Sequence, residues 1–183
     1  MKELANYYQL VGRVDDLCRK IRQDYSEEMV CKKGCAGCCR HISIFPVEAA
    51  ALSVACNHLS PDLADHIRSN AGRSSPGGGC PLLENSICLL YPARPIICRT
   101  HGFPILLNRD DEPKVDYCPL NFKAKEISSF PSGHLIDLEH LNQLLVMINA
   151  LFLEQCGSPS GLPERLTIAE SVRMPVQSFR TVR

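Results

Sequence analysis

The stretch CKKGCAGCC, Cys31 to Cys39, constrains this chain more than any other part of it. Four thiols fall within nine residues, two of them adjacent, and Gly34 and Gly37 let the backbone turn tightly among them. The spacing Cys31-x3-Cys35-x2-Cys38-Cys39 brings three or four sulfurs within reach of one ion or cluster. Its C-x2-C portion is the compact spacing used by zinc and by iron–sulfur centres. Successive side chains project in different directions, so Cys38 and Cys39 need not share a centre. One of them is free to serve a second centre or a hydrogen-bonding role.

The alternative to ligation is a disulfide framework, and composition argues against it. The chain has eleven cysteines, an odd number. Its start, MKELANYYQLVGRVDDLCRK, lacks a continuous apolar segment and carries Glu3, Asp15 and Asp16, so it does not read as a signal peptide. No apolar run reaches the roughly 20 residues a membrane span needs. A cytoplasmic location is expected, where thiols stay reduced and are free to bind metal. Twenty basic residues balance twenty acidic ones. That neutrality argues against nucleic acid as a partner, and it names no protein partner.

Four further cysteines, Cys80, Cys88, Cys98 and Cys118, follow the knuckle, and Cys80 and Cys118 each precede a proline. With Cys31, Cys35, Cys38 and Cys39 they make eight candidate ligands, the number two four-thiolate sites would use. Eight thiolates filled by two zinc ions or two oxidised cubane cores would keep a charge of about −4. Arg40, Arg94 and Arg99 lie beside or near these cysteines in sequence and are candidates to offset it, Arg94 and Arg99 as residues that bind the centre. His41 and His101 are the best candidates other than cysteine, each within three residues of a motif cysteine. Cys18, Cys56 and Cys156 sit in helical patterns and read as buried thiols. The chain has no HExxH run and no nucleotide loop, since SSPGGG lacks the GK[ST] ending.

The expected fold is mainly α: a small helical domain with an irregular cysteine-rich metal-binding region and a short β-hairpin. Leu4, Tyr7, Val11, Val14, Leu17, Ile21 and Tyr25 form an apolar stripe, which predicts a helix over 4–29. A helix pair follows over 46–71, with Pro46, the Ser60 cap with Pro61, and Gly72 as a stop. Next come a loop at 72–79, a hairpin in CPLLENSICLLYP turning at Glu84–Ser86, and a loop at NRDDEPK. A long Leu-rich helix is predicted from the Ser132 cap to Gly157. Residues 1–157 form a single metal-binding domain in this reading. Residues 158–183 form a weakly structured tail with a short helix near 163–171.

The run Cys88-x-x-Tyr91-x-x-Arg94-Pro95-x-x-Cys98-Arg99, with CKKGCAGCC, CPLL and YCP around it, resembles the YkgJ-like cysteine-cluster family, also called CxxCxxCC, a zinc- or iron-chelating domain. The resemblance covers roughly residues 30–120, and the first gap here holds three residues rather than two. It implies a cytosolic protein that chelates zinc or iron, with a structural, sensing or metal-handling role. A flagellin lysine methylase carries a similar motif associated with iron and sulfur. An iron–sulfur enzyme of methylase-like or redox type is therefore one alternative, and a zinc-stapled interaction module is another. Zinc ribbons use two short knuckles and this chain has one, which leans the choice toward an iron–sulfur cluster.

Overall fold

The computed structural model describes residues 1–75, 77–109, 112–123 and 130–180, without the side chains of 108, 109, 112 and 113. A single 3-10 turn, Lys2–Leu4, leads into α1 (Ala5–Asp24). The buried face of that first segment is Leu4, Tyr7, Leu10, Val14, Cys18 and Ile21, followed by Tyr25. The stripe is thus rotated slightly from the expected one: Leu10 and Cys18 go inward, while Val11 and Leu17 are only partly buried. The helix also ends at Asp24, short of the expected 29.

β1 (Ser43–Ile44) precedes α2 (Pro46–Asn57), and α3 (Pro61–Arg73) follows. α2 is the centre of the molecule. Val47, Ala49, Ala50 and Leu52 are fully buried on it, an all-round burial that marks a helix packed on several sides. Gly72 does not stop α3, which runs one residue further. Of the 72–79 loop, residue 76 lies outside the described residues.

The expected hairpin is present as β2 (Leu83–Glu84) and β3 (Ile87–Cys88). Asn85 and Ser86 take φ of 48° and 63°, the left-handed pair that a two-residue hairpin turn requires. A short α4 (Ile96–Thr100) carries Cys98. NRDDEPK is the end of a second hairpin, β4 (Ile105–Arg109) with β5 (Glu112–Asp116), and residues 110 and 111 lie outside the described ones. β6 (Ile136–Asp137) adds to β4 in parallel.

The long helix, α5 (Leu138–Gln155), begins later than the sequence suggests. Ser132 opens a 3-10 turn instead, and Asp137 is the true cap, its Oδ1 accepting from His140 N at 2.9 Å. Gly157 ends the segment at φ +81° as expected.

The C-terminal segment is not loose over its described length. β7 (Leu166–Thr167) pairs antiparallel with β1, and α6 (Ile168–Arg173) packs on α2 and α3. Leu166, Ile168, Val172 and Phe179 are buried to 1% exposure or less. A weak local pattern concealed these contacts because each residue buries against distant helices rather than along one stripe of its own. Among the described residues six α-helices dominate, so the chain is mainly α, with short strands at its margin.

Candidate metal centre

Three segments deliver the eight candidate cysteines. The knuckle has no regular structure. Two turns shape it, Cys35 N donating to Lys32 O (2.9 Å) and Cys39 N to Ala36 O (3.0 Å), and each turn ends on a cysteine. The second segment is the β2–β3 hairpin followed by α4, which carries Cys80, Cys88 and Cys98. The third is the turn at Cys118, closed by Asn121 N donating to Cys118 O at 2.8 Å.

Backbone contacts join the three. Arg40 and Gly79 form an isolated antiparallel bridge, and His41 N donates to Gly78 O at 3.2 Å. The knuckle and the second segment therefore meet directly. The third is tied in by Asn121, which is fully buried. Its Oδ1 accepts from Val30 N (2.9 Å) and Cys31 N (3.2 Å). Its Nδ2 donates to Gly102 O (2.7 Å) and to Cys31 Sγ (3.3 Å). Gly102, at φ +91°, allows this approach: a Cβ there would stand 2.6 Å from Cys31 Sγ.

Cys31, Cys35, Cys38, Cys39, Cys80, Cys88 and Cys98 all line one cavity of about 490 Å³. Cys118 is not on its wall, while Cys18 is. Of the three thiols read from sequence as buried bystanders, Cys56 and Cys156 are buried elsewhere, and Cys18, also buried, contributes to this wall. Ile42, Leu82, Phe103 and Ile168 add apolar surface.

Burial pushes the thiols up from their usual range, to about 11 at Cys80 and about 12 at Cys98 and Cys18. Cys31, Cys38, Cys39 and Cys88 are raised for the same first reason, with like-charged neighbours adding to it at the first three. Metal is the natural counterweight, since a coordinated thiol gives up its proton.

The two candidate arginines differ. The Arg94 guanidinium lies 3.6 Å above the Tyr91 ring and donates to Tyr91 O (3.0 Å) and Cys98 O (3.4 Å). From there it opposes the upward shift at Cys39 and Cys88. Arg99 also borders the cavity, but its guanidinium is engaged elsewhere. Both Asp15 oxygens accept from its Nη1 (2.8 and 2.7 Å), Arg94 O from its Nε (2.7 Å), and Pro92 O from its Nη2 (2.5 Å). Arg99 thus fastens α4 to α1.

His101 lines the cavity, and burial lowers its pKa, favouring the neutral ring. His41 has a different place. Its Nδ1 meets Ser75 O at 3.1 Å and its Nε2 accepts from Ala169 N at 3.4 Å, so the neutral ring protonated on Nδ1 satisfies both bonds.

Three supporting residues escape the sequence reading. Asp15, read from sequence only as an early charge, holds Arg99. Glu48, 3% exposed, accepts from Phe45 N (3.2 Å) and Ile96 N (3.0 Å), so one carboxylate closes the starts of both α2 and α4. Its signal was available: a lone acid three residues after Phe45, in an otherwise apolar helix. Asn121 offered no local signal at all.

Among the described residues, no group of three or more His, Cys, Asp or Glu side chains stands so as to hold a metal ion. The donor chemistry nonetheless fits a thiophilic centre. Seven of the eight candidate thiols, with Cys18, share one wall, and an amide donor on a buried Asn is aimed at a sulfur, as ligand-orienting groups are.

The class is thus a small, mainly helical, cysteine-rich domain whose thiols converge on a cavity. Residues 30–119 match the model of the CxxCxxCC family, described as a "putative zinc- or iron-chelating domain". The match spans the knuckle, the hairpin, α4 and the Cys118 turn, the family expected from the motif. Comparison with curated proteins and with solved structures gave no match.

Proposed function

We propose that this protein binds zinc or iron through Cys31, Cys35, Cys38, Cys39, Cys80, Cys88, Cys98 and Cys118, in a structural, sensing or metal-handling role. The observation that carries this reading is the convergence of seven of those eight thiols on one cavity from segments far apart in sequence. Of the three thiols read as core residues, only Cys18 also reaches that wall, while Cys56 and Cys156 are buried elsewhere. Ligation requires the side chains to turn inward from their present positions, which the irregular knuckle permits. Arg94 offsets the resulting negative charge, and Asn121 orients Cys31. Bound zinc would fix the three segments together. Bound iron with sulfide would add electron transfer.

Of the two, an iron–sulfur centre is slightly favoured by the single short knuckle, since zinc ribbons use two. The test is anaerobic purification followed by metal and acid-labile sulfide analysis. Iron with matching sulfide supports a cluster, and zinc without sulfide selects the zinc form. Protein that stays metal-free after incubation with either metal would overturn the proposal.

A further inference from the structure

We propose that the eight cysteines form two neighbouring four-thiolate metal centres, one held by Cys31, Cys35, Cys38 and Cys118 and the other by Cys39, Cys80, Cys88 and Cys98, with the Cys38–Cys39 peptide as the boundary. This rests on the metal-binding reading above and adds the number of centres and the ligands of each.

Backbone geometry separates the sets. In an antiparallel bridge between Arg40 and Gly79, the residues flanking them, Cys39 and Cys80, come opposite each other. The turn in which Leu83 N donates to Cys80 O (3.0 Å) folds Cys80 back toward the hairpin, and Leu83 pairs with Cys88. Arg94, stacked on Tyr91 and donating to Tyr91 O, also donates to Cys98 O and so ties the hairpin's exit to α4. Cys98 lines the cavity together with Cys39, Cys80 and Cys88.

The other set is organised by Asn121. Its bonds to Val30, Cys31 and Gly102, together with Phe122 N donating to Glu28 O at 2.9 Å, dock the Cys118 turn beside Cys31. The turn in which Cys35 N donates to Lys32 O follows directly on Cys31, and Cys38 lies in the next turn, where Cys39 N donates to Ala36 O. Cys39 ends that turn and leads straight into the Arg40–Gly79 bridge beside Cys80. The sets therefore join at the adjacent pair, where consecutive side chains diverge. Two centres sharing a peptide explain why two cysteines are adjacent, which a single four-thiolate site would not use.

The experiment is an anaerobic titration of the reduced, metal-free full-length protein with Co²⁺. It follows sulfur-to-cobalt charge-transfer absorption, and it alkylates the folded protein with and without bound metal and then counts, after denaturation, the thiols that escaped. Saturation at two equivalents is expected, with eight of the eleven cysteines protected by metal. Cys35→Ser and Cys88→Ser should each saturate at one equivalent and keep a tetrathiolate spectrum, and the double variant should bind none. Saturation of the wild-type protein at one equivalent, or loss of both equivalents in a folded single variant, would overturn the two-centre arrangement while leaving metal binding intact. No cobalt uptake at all would overturn both readings. Should a variant fail to fold by far-UV dichroism, the wild-type endpoint and thiol count decide the matter alone.

Discussion

The knuckle at 31–39 and the segment at 80–98 supply thiols to the same cavity, but they are held in opposite ways. The knuckle depends on two turn hydrogen bonds, a bridge at its exit and contacts to Cys31 from Asn121 and Arg22. Cys38, within it, is exposed. The 80–98 segment is braced throughout: a hairpin, a stacked Arg94, a helix start closed by Glu48, and a buried Arg99 tied to α1. One side is held in place by the fold itself, whereas the other would take its final shape from bound metal. In the braced half, ligand placement would be limited by folding energy, and in the knuckle by the energy of coordination.

The sharpest way to break this contrast is at Arg99. Arg99→Ala removes the buried partner of Asp15 and leaves two carbonyls without their donors. It should cost about 3 kcal/mol in urea unfolding, near the low end for a broken buried pair because Asp15 keeps contact with solvent. A loss below about 1 kcal/mol would mean that α4 is not held from α1.

Glu48→Ala should come next, at about 2 kcal/mol, since one carboxylate serves two helix starts and each cap is worth about 1 kcal/mol. Glu48 also gives a pH signature. Burial raises its folded pKa above the unfolded value near 4.5. The raised pKa contributes stability that is fully present below that unfolded value and is lost as pH rises through the folded one. Glu48→Gln should remove this dependence, so the wild-type protein loses stability relative to the variant across that window. Parallel stability–pH curves would refute the assignment.

Asn121→Ala acts on the junction between the two kinds of wall. It should weaken metal affinity about 10-fold, the lower end for groups that orient a ligand, as read by chelator competition. Lys33→Ala, on the exposed knuckle, should change metal-free stability by less than about 0.5 kcal/mol. An effect there as large as that of Glu48→Ala would erase the distinction between the two regions.

The same contrast governs how much could be read from the sequence. The ligand candidates were legible because cysteine spacing is local, and so was the helical class, because the stripes of α1 and α5 repeat within one element. The turn at Asn85–Ser86 was legible too, as a polar break between apolar pairs. What supports the site was not. Asp15, Glu48 and Asn121 act on residues 84, 48 and 90 positions away, and no local period records such partners. Arg99 shows the limit well. Proximity to Cys98 in sequence pointed its charge at the thiols, whereas its guanidinium spends its hydrogen bonds on Asp15 and on backbone carbonyls. The helix start at Asp137 was missed because Ser132 offers a capping residue earlier, and the intervening residues form a 3-10 turn and the short strand that pairs with β4.

The pairing of β7 with β1 carries a consequence for synthesis. Ile168 lines the cavity, its N–H donates to Ile42 O at 3.1 Å, and Ala169 N reaches His41. On the ribosome the knuckle emerges early, yet its enclosure is finished only when this late segment follows and folds back over the knuckle's exit. Until then the thiols of a growing chain stand open to oxidants and to the wrong ions. A metal bound in that cavity would therefore be enclosed late, by a segment that contributes no cysteine of its own.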